Sequence, residues 1–197
     1  MTVDLGTGDG RYPYEFARRS PDRFFVGIDA NASAMGAVSH KIGRKPAKGG
    51  LGNALFVAAA VEALPAELEG IAARVTVLFP WGSLLRAIVL PEPDILAGIR
   101  RLCRPGATLE IVLGYDPQRE RTEIDRLALP DPTGEYLRAE LPPRYRDVGL
   151  RIERVEALTR EALRVLPSAW AKRLGYGRRR DVWRIIARAA EPPPVHV

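Results

Sequence analysis

The chain has 197 residues, of which 46% are apolar and 27% are charged, and its formal net charge is +6. This composition is that of a globular protein with one sizeable core, and no apolar run approaches the length of a membrane span. One cysteine excludes an internal disulfide, and two histidines leave no cluster that could hold a zinc ion. We therefore expect a metal-free cytoplasmic domain over residues 1–189, with insertions at about 116–147 and 158–180 and a flexible tail over 190–197.

The first predicted strand, residues 2–5, runs into a glycine-rich turn and then into a helix over residues 12–19. Glycines at every second position let a ligand approach the backbone closely, and the helix start presents free N–H groups to it. The spacing is G-x-G-x-G, because Arg11 stands where a dinucleotide fingerprint has its third glycine. This spacing favours S-adenosylmethionine (SAM) over a nicotinamide dinucleotide. A glycine-rich turn without a ligand is the alternative. The glycines are Gly6, Gly8 and Gly10.

The second predicted strand, residues 23–29, is buried and ends in Asp29. An acid at this point of a βαβ unit is placed to accept both ribose hydroxyls of an adenosine, because two carboxylate oxygens match two vicinal O–H donors. The alternative is an N-cap for the helix predicted over residues 30–39. The glycine turn beside it favours the ribose role.

Basic residues form two clusters in the sequence. Lys41, Arg44, Lys45 and Lys48 have the spacing of one helix face until Pro46 interrupts it. Between residues 144 and 188, thirteen Lys and Arg stand against five Asp and Glu. This asymmetry indicates a polyanionic partner, most simply nucleic acid, and a solvated arginine-rich face is the alternative.

Two further residues follow predicted parallel strands. Glu62 comes just after the strand over residues 53–60, where ligands of open α/β sheets bind, and is a candidate for the adenine end of the cofactor. Trp81 follows the strand over residues 74–79 and stands between a proline and a glycine. A tryptophan in that setting is hard to bury inside an element, so we expect it to face the site.

The regular alternation of strand and helix ends after residue 114. A helix over residues 93–104 and a strand over 107–114 are followed by proline-punctuated helical sequence over 116–147 and a strand over 150–157. A long connection then leads to the last strand, residues 181–189, and long irregular connections are usually functional. Seven strands in this order predict a doubly wound α/β sheet that resembles the class I, Rossmann-like SAM-dependent methyltransferases, in which the last strand is antiparallel.

Three segments carry a closer resemblance: residues 4–11 (DLGTGDGR), 79–85 (FPWGSLL) and 168–174 (SAWAKRL). They resemble the Kam-type aminoglycoside-resistance methyltransferases, which modify N1 of adenine 1408 of 16S rRNA within the 30S ribosomal subunit. The resemblance implies SAM as cofactor, S-adenosylhomocysteine as product, 16S rRNA as partner, a monomeric protein, and resistance to kanamycin and apramycin.

The resemblance also implies roles for individual residues. Two tryptophans, Trp81 and Trp170, would hold the target base, with Ser168 beside the second. The implied cofactor residues are Asp4, Gly6, Thr7, Gly8, Asp29, Ala30, Glu62, Ala63, Leu78 and Ser83. The implied RNA contacts are Lys41, Arg44, Lys45, Arg173, Arg178 and Arg180.

One departure from the family pattern stands at the start of the chain. Family members usually carry a β-hairpin ahead of the glycine turn, whereas here only Met1, Thr2 and Val3 precede Asp4. We therefore expect a short first central strand.

Other functions compete with this interpretation. A tRNA (guanine-N7)-methyltransferase is disfavoured by the two tryptophans, and a non-catalytic RNA-binding protein by the intact Asp4, Asp29 and Glu62. A NAD-dependent dehydrogenase is disfavoured by Arg11.

Overall fold

Seven strands form one sheet in the computed structural model, which describes residues 1–116, 120–166 and 181–191. The strands are β1 (Thr2–Leu5), β2 (Phe25–Asp29), β3 (Ala54–Ala58), β4 (Ala72–Leu78), β5 (Cys103–Leu113), β6 (Leu150–Ala157) and β7 (Trp183–Ala189). Their order is β3-β2-β1-β4-β5-β7-β6. All neighbouring pairs up to β5 are parallel, whereas β7 is antiparallel to both β5 and β6. The predicted class I methyltransferase architecture is confirmed.

Eight α-helices connect the strands within the described residues. They are α1 (Arg11–Arg19), α2 (Ala32–Ile42), α3 (Gly82–Val89), α4 (Pro93–Leu102), α5 (Arg121–Leu127), α6 (Gly134–Ala139), α7 (Leu141–Asp147) and α8 (Arg160–Val165). Across those same ranges, no helix combines the length and the apolar character that crossing a bilayer requires.

The main core lies on one face of the sheet. Val75 and Ile111 in neighbouring strands are completely buried there, and α4 adds Leu96 and Ile99. The proline-punctuated region also contributes, because α6 and α7 bury Leu137, Leu141 and Tyr145 in the same cluster. The proline-rich sequence between β5 and β6 is therefore part of the packed structure.

The opposite face of the central strands carries a polar row. Asp4 in β1 pairs in register with Thr76 in β4, and Thr76 pairs with Glu110 in β5. Paired residues of parallel strands point to the same face, so these three side chains lie side by side. Glu110 forms an ion pair with Arg74, two residues before Thr76 on the same strand. Polar side chains thus extend from the glycine turn across the middle of the sheet.

The predicted helical face of basic residues is wrong. Helix α2 ends at Ile42 with Gly43 as its C-cap, so Lys41 lies in the helix and Arg44 and Lys45 lie beyond it. Lys45 has an extended backbone, as expected for the residue before a proline, and Pro46 opens a short 3-10 helix, Pro46–Lys48. Lys41 therefore lies at the end of α2, and the other three basic residues lie on the folded loop that follows it.

The boundary between α4 and β5 also differs from the prediction. Pro105 and Gly106 do not precede the strand, because β5 already begins at Cys103 and includes them. The register between β4 and β5 shifts at Ala72 and Arg74, and Gly106 has a φ of 70°. An irregularity of this kind accommodates a proline near the start of a strand.

Candidate active site

A cavity of about 790 Å³ opens at the carboxyl ends of the parallel strands. Its walls come from residues 4–9, 11 and 12 around the glycine turn, and from 28–31, 59–62, 78–81, 83 and 84. The strands that precede these segments are β1, β2, β3 and β4, and the chain order reverses between β1 and β4. Ligands of open α/β sheets bind at this kind of switch point.

The glycine turn has a left-handed backbone at Gly6, Gly8 and Gly10, with φ values of 71°, 59° and 68°. Only glycine adopts this conformation readily. A Cβ atom at Gly8 would meet no atom within 4 Å, whereas one at Gly10 would lie 2.5 Å from both Phe56 and Val38. Gly8 therefore leaves space in the cavity wall, and Gly10 allows the turn to pack on β3.

Asp29 connects two walls of the cavity. Its Oδ2 atom accepts a hydrogen bond from the Gly8 backbone N–H at 2.7 Å, and its Oδ1 atom accepts one from the Asn31 N–H at 2.8 Å. The N-cap of α2 is Asn31, whose side chain accepts from Ala34 N–H at 3.4 Å. Each carboxylate oxygen of Asp29 keeps a further lone pair for a ligand donor.

Asp4 lies at the base of the cavity and is only 3% exposed. Its Oδ1 atom accepts from the Thr76 hydroxyl at 2.6 Å, and its Oδ2 atom accepts from the Thr7 hydroxyl at 2.7 Å. Burial raises the pKa of Asp4 to about 6, against the lowering effect of these two hydrogen bonds. At neutral pH the site therefore holds a buried negative charge that a cationic ligand group would stabilise.

The rim of the cavity is formed where β4 ends. Phe79 has a φ of 52°, which is unusual for a bulky residue, and its N–H donates to Val112 O at 2.7 Å. It packs against a small cluster of buried residues formed by Val112, Leu163 and Val182. Trp81, two residues further on, is the N-cap of α3 and remains 49% exposed beside the cavity. A large aromatic face is thus available to a ligand at the rim.

The structure brings most of the predicted cofactor residues together. Ala63 does not line the cavity, because it ends a short 3-10 helix, Val61–Ala63, whose middle residue Glu62 does. Trp170 and Ser168, as well as Arg173, Arg178 and Arg180, lie outside the described residues. The predicted residues that line the cavity are Asp4, Gly6, Thr7, Gly8, Asp29, Ala30, Glu62, Leu78, Trp81 and Ser83.

Sequence reasoning missed several residues of the site. Thr76 holds Asp4, and only the register of β1 against β4 identifies it. Tyr12 lines the cavity from the first turn of α1, and burial, followed by the negative charge of Asp4, raises the pKa of its hydroxyl. Ala60 follows the end of β3, so the strand-end rule that selected Glu62 would also have found it.

The basic loop between α2 and β3 has a fixed shape. The Tyr14 hydroxyl donates to Gly49 O at 3.0 Å, and the Lys41 ammonium lies 4.2 Å from the centre of the Tyr14 ring. A Cβ atom at Gly50 would lie 1.7 Å from Arg44 O, so the chain can pass there only without a side chain. The loop is held by contacts that do not use the charges of Arg44 and Lys45.

The charges of this loop are available to a ligand. Residues 30–61 contain no Asp or Glu. Among the described residues, no carboxylate forms an ion pair with Lys41, Arg44, Lys45 or Lys48, whereas several exposed arginines elsewhere have acidic partners, as Arg126 has Glu123. Unpaired cations on a rigid loop are suited to contact phosphates.

Comparison with known proteins identifies the family. The family model described as NpmA, 16S rRNA (adenine(1408)-N(1))-methyltransferase, matches residues 1–189. A 16S rRNA (adenine(1408)-N(1))-methyltransferase of Escherichia coli is 40% identical over 184 residues, which cover 93% of this chain and 84% of that protein. A protein of the same description from Streptoalloteichus tenebrarius is 39% identical over 181 residues, which cover 91% of this chain and 82% of that protein.

Solved structures agree with these sequence matches. The aminoglycoside resistance methyltransferase NpmB1 is 46% identical, with a TM-score of 0.80 and coverage of 96% of this chain and 86% of that one. A variant of the Catenulisporales acidiphilia 16S rRNA (adenine(1408)-N(1))-methyltransferase, with its cosubstrate SAM, is 38% identical, with a TM-score of 0.89 and coverage of 98% and 87%. The fold, the cavity and these matches together show that the chain belongs to the 16S rRNA (adenine(1408)-N(1))-methyltransferase family.

Proposed function

We propose that this protein transfers a methyl group from SAM to N1 of adenine 1408 in 16S rRNA, within the 30S subunit, and thereby confers resistance to kanamycin and apramycin. The observation that carries the proposal is the cavity at the switch point of the sheet, with two aspartates in its wall and an exposed tryptophan at its rim. Family membership supports the same reaction.

The residues of the cavity fit SAM. Asp29 has lone pairs free for the two ribose hydroxyls, since each of its oxygens accepts one backbone hydrogen bond. Asp4 provides negative charge for a cosubstrate that carries an ammonium and a sulfonium group, and Gly8 leaves room against the backbone. Glu62 lies on the wall formed after β3, where the adenine end would be held. When bound, SAM supplies an electrophilic methyl group.

Trp81 is placed to hold the target adenine. A base inside an RNA helix cannot present N1 to a methyl donor, so the enzyme has to extrude the base and recover the lost stacking energy. The half-exposed indole at the cavity rim provides a stacking surface, and Trp170 would provide the second by resemblance to the family. Ser168 would lie beside that second surface.

The rate of methyl transfer then depends on how the target adenine is positioned against SAM. Adenine N1 has a free lone pair at neutral pH, so no side chain has to remove a proton before attack. As the methyl group is transferred the base becomes cationic, and the electron-rich face of Trp81 would stabilise that charge as it develops. For these roles the indole of Trp81 has to be accessible and correctly oriented. Two features support such an orientation: Trp81 is the N-cap of α3, and Phe79, two residues earlier, has a left-handed backbone.

Contact with the ribosome is assigned to Lys41 at the end of α2 and to Arg44 and Lys45 of the basic loop. Their lack of acidic partners within the described ranges supports this role, because an anion would not have to displace an existing ion pair. The family resemblance adds Arg173, Arg178 and Arg180 to the same function.

The reaction is tested by incubating purified 30S subunits with the protein and SAM, followed by primer extension across the decoding-site helix. We expect a primer stop at adenine 1408, and growth of a susceptible bacterium on kanamycin and apramycin when the protein is expressed. Isolated tRNA serves as the alternative substrate, and a Trp81→Ala variant serves as the inactive control. Methylation of tRNA without a stop on the 30S subunit would contradict the proposal.

A further inference from the structure

A second depression lies between α2 and the edge strand β3. Its volume is about 840 Å³, and Met35, Phe56 and Ala58 give it an apolar floor. His40 and Arg44 line it toward the end of α2. The inference drawn from it rests on the function proposed above.

This groove connects two functional regions. At one end it is lined by Ala32 and Ala58, the chain neighbours of Asn31 and Ala59, which line the cofactor cavity. At the other end it is lined by Arg44, the first cation of the basic loop. The groove therefore extends along the edge of the sheet from the active-site rim to the loop assigned to RNA contact.

The positive charge around the groove indicates an anionic ligand. The groove and the loop belong to residues 30–61, a stretch that contains no Asp or Glu, and His40 and Arg44 are part of the groove wall. A polyanion with flat apolar groups satisfies both features, since its phosphates would meet the cations and its bases would cover the apolar floor. The free edge of β3 could also pair with a strand of a ribosomal protein, but such a strand would leave the cations unmatched.

We infer that the groove between α2 and β3 binds a segment of the substrate rRNA, with a nucleobase against Met35 and Phe56 and the adjoining phosphates at Arg44 and Lys45. The loop would then fix the direction in which the RNA leaves the active site. This contact is separate from the cofactor cavity, so it contributes to ribosome affinity without changing SAM affinity.

Gly36 allows the inference to be tested without removing any charge. It lies on α2 in the groove wall, and a Cβ atom there would meet no atom within 4 Å. A Gly36→Leu variant therefore places a bulky side chain at the groove wall, keeps every cation and favours the helix. We expect its Kd for 30S subunits to rise about fivefold or more, the effect of losing one stacked base. Its Kd for SAM should be unchanged.

Ala37→Leu is the matched control. Ala37 is an exposed residue of the same helix and does not line the groove. Wild-type 30S affinity for Gly36→Leu, or equal losses in the two variants, would overturn the inference. Loss of SAM affinity in Gly36→Leu would overturn it as well, because the groove would then act through the cofactor cavity.

A second measurement identifies the occupant. Cys103 is buried, so a Ser39→Cys variant carries one accessible thiol, at the groove wall, for attachment of an iron chelate that releases hydroxyl radicals. We expect cleavage of 16S rRNA in the bound 30S subunit, and cleavage confined to a ribosomal protein would overturn the inference. Methylation by the wild-type protein in the same preparation tests the proposed function separately. Its absence contradicts the reaction, whereas methylation with an unaffected Gly36→Leu variant contradicts the groove alone.

Discussion

Replacing Asp4 by asparagine should stabilise the fold and weaken cosubstrate binding at the same time. Burial raises the pKa of Asp4 from its ordinary 3.8 to about 6, which makes ionisation at pH 8 cost about 3 kcal/mol of folding free energy. Asparagine avoids this cost but can accept from only one of the two threonine hydroxyls, a loss of about 1 kcal/mol. The net gain of about 2 kcal/mol corresponds to a Tm increase of about 4–8 °C for a chain of this length.

The pH dependence of this gain follows from the direction of the pKa shift. Because the folded pKa of Asp4 lies above the unfolded value, the penalty is absent below about pH 4 and complete above about pH 6. Thermal unfolding without SAM should therefore show the largest advantage of Asp4→Asn at pH 8 and a shrinking one toward pH 4. An Asp22→Asn variant at an exposed position is the control for the loss of one negative charge.

Cosubstrate affinity should move in the opposite direction. The buried carboxylate is the negative charge that a cationic ligand compensates, so calorimetry should show SAM bound at least about tenfold more weakly by Asp4→Asn at pH 8. Wild-type affinity should also fall as the pH drops below about 6, where Asp4 becomes protonated. A variant that is less stable than the wild type at pH 8, or that binds SAM with wild-type affinity, would refute this account.

Three other predictions concern separate parts of the molecule. Asp29→Ala should weaken SAM binding about tenfold or more in calorimetry, since two charge-assisted hydrogen bonds are lost, and unchanged affinity would leave the carboxylate a purely structural role. Trp81→Ala should abolish methylation of 30S subunits while SAM affinity stays unchanged, and Trp81→Phe should restore part of the rate. Full activity of the alanine variant would refute base stacking. Neutralising Arg44 and Lys45 should weaken 30S binding and flatten its salt dependence relative to the control Arg126→Ala, and an equal effect of the control would point to net charge alone.

Much of the fold could be predicted because it depends on local patterns. The glycine turn, the acid at the end of β2 and the apolar run of β4 each have a sequence signature, and the parallel arrangement follows from their alternation with helices. The same rule that places ligands beyond the carboxyl ends of strands identified Asp29, Glu62 and Trp81 as candidates. The structure gathers all three around one cavity.

The remaining features depend on contacts that one segment does not encode. Thr76 holds Asp4 only because β1 and β4 pair in a particular register. The predicted basic helix face was wrong because Gly43 ends α2 before the repeat is complete. Phe79 has a left-handed backbone and packs against the cluster of Val112, Leu163 and Val182, whose members come from three separate segments of the chain.

The fixed shape of the basic loop has a consequence for the divergence of this enzyme. Its backbone depends on Gly50, on the Tyr14 hydroxyl and on the Lys41 ammonium over the Tyr14 ring, whereas the side chains of Arg44 and Lys45 contribute charge. If this loop contacts the ribosome as proposed, substitutions at those two positions would change how strongly the enzyme binds the 30S subunit while the backbone of the loop stays the same. Ribosome affinity could then evolve at Arg44 and Lys45 with little risk of misfolding, whereas any side chain at Gly50 would clash with the backbone of Arg44.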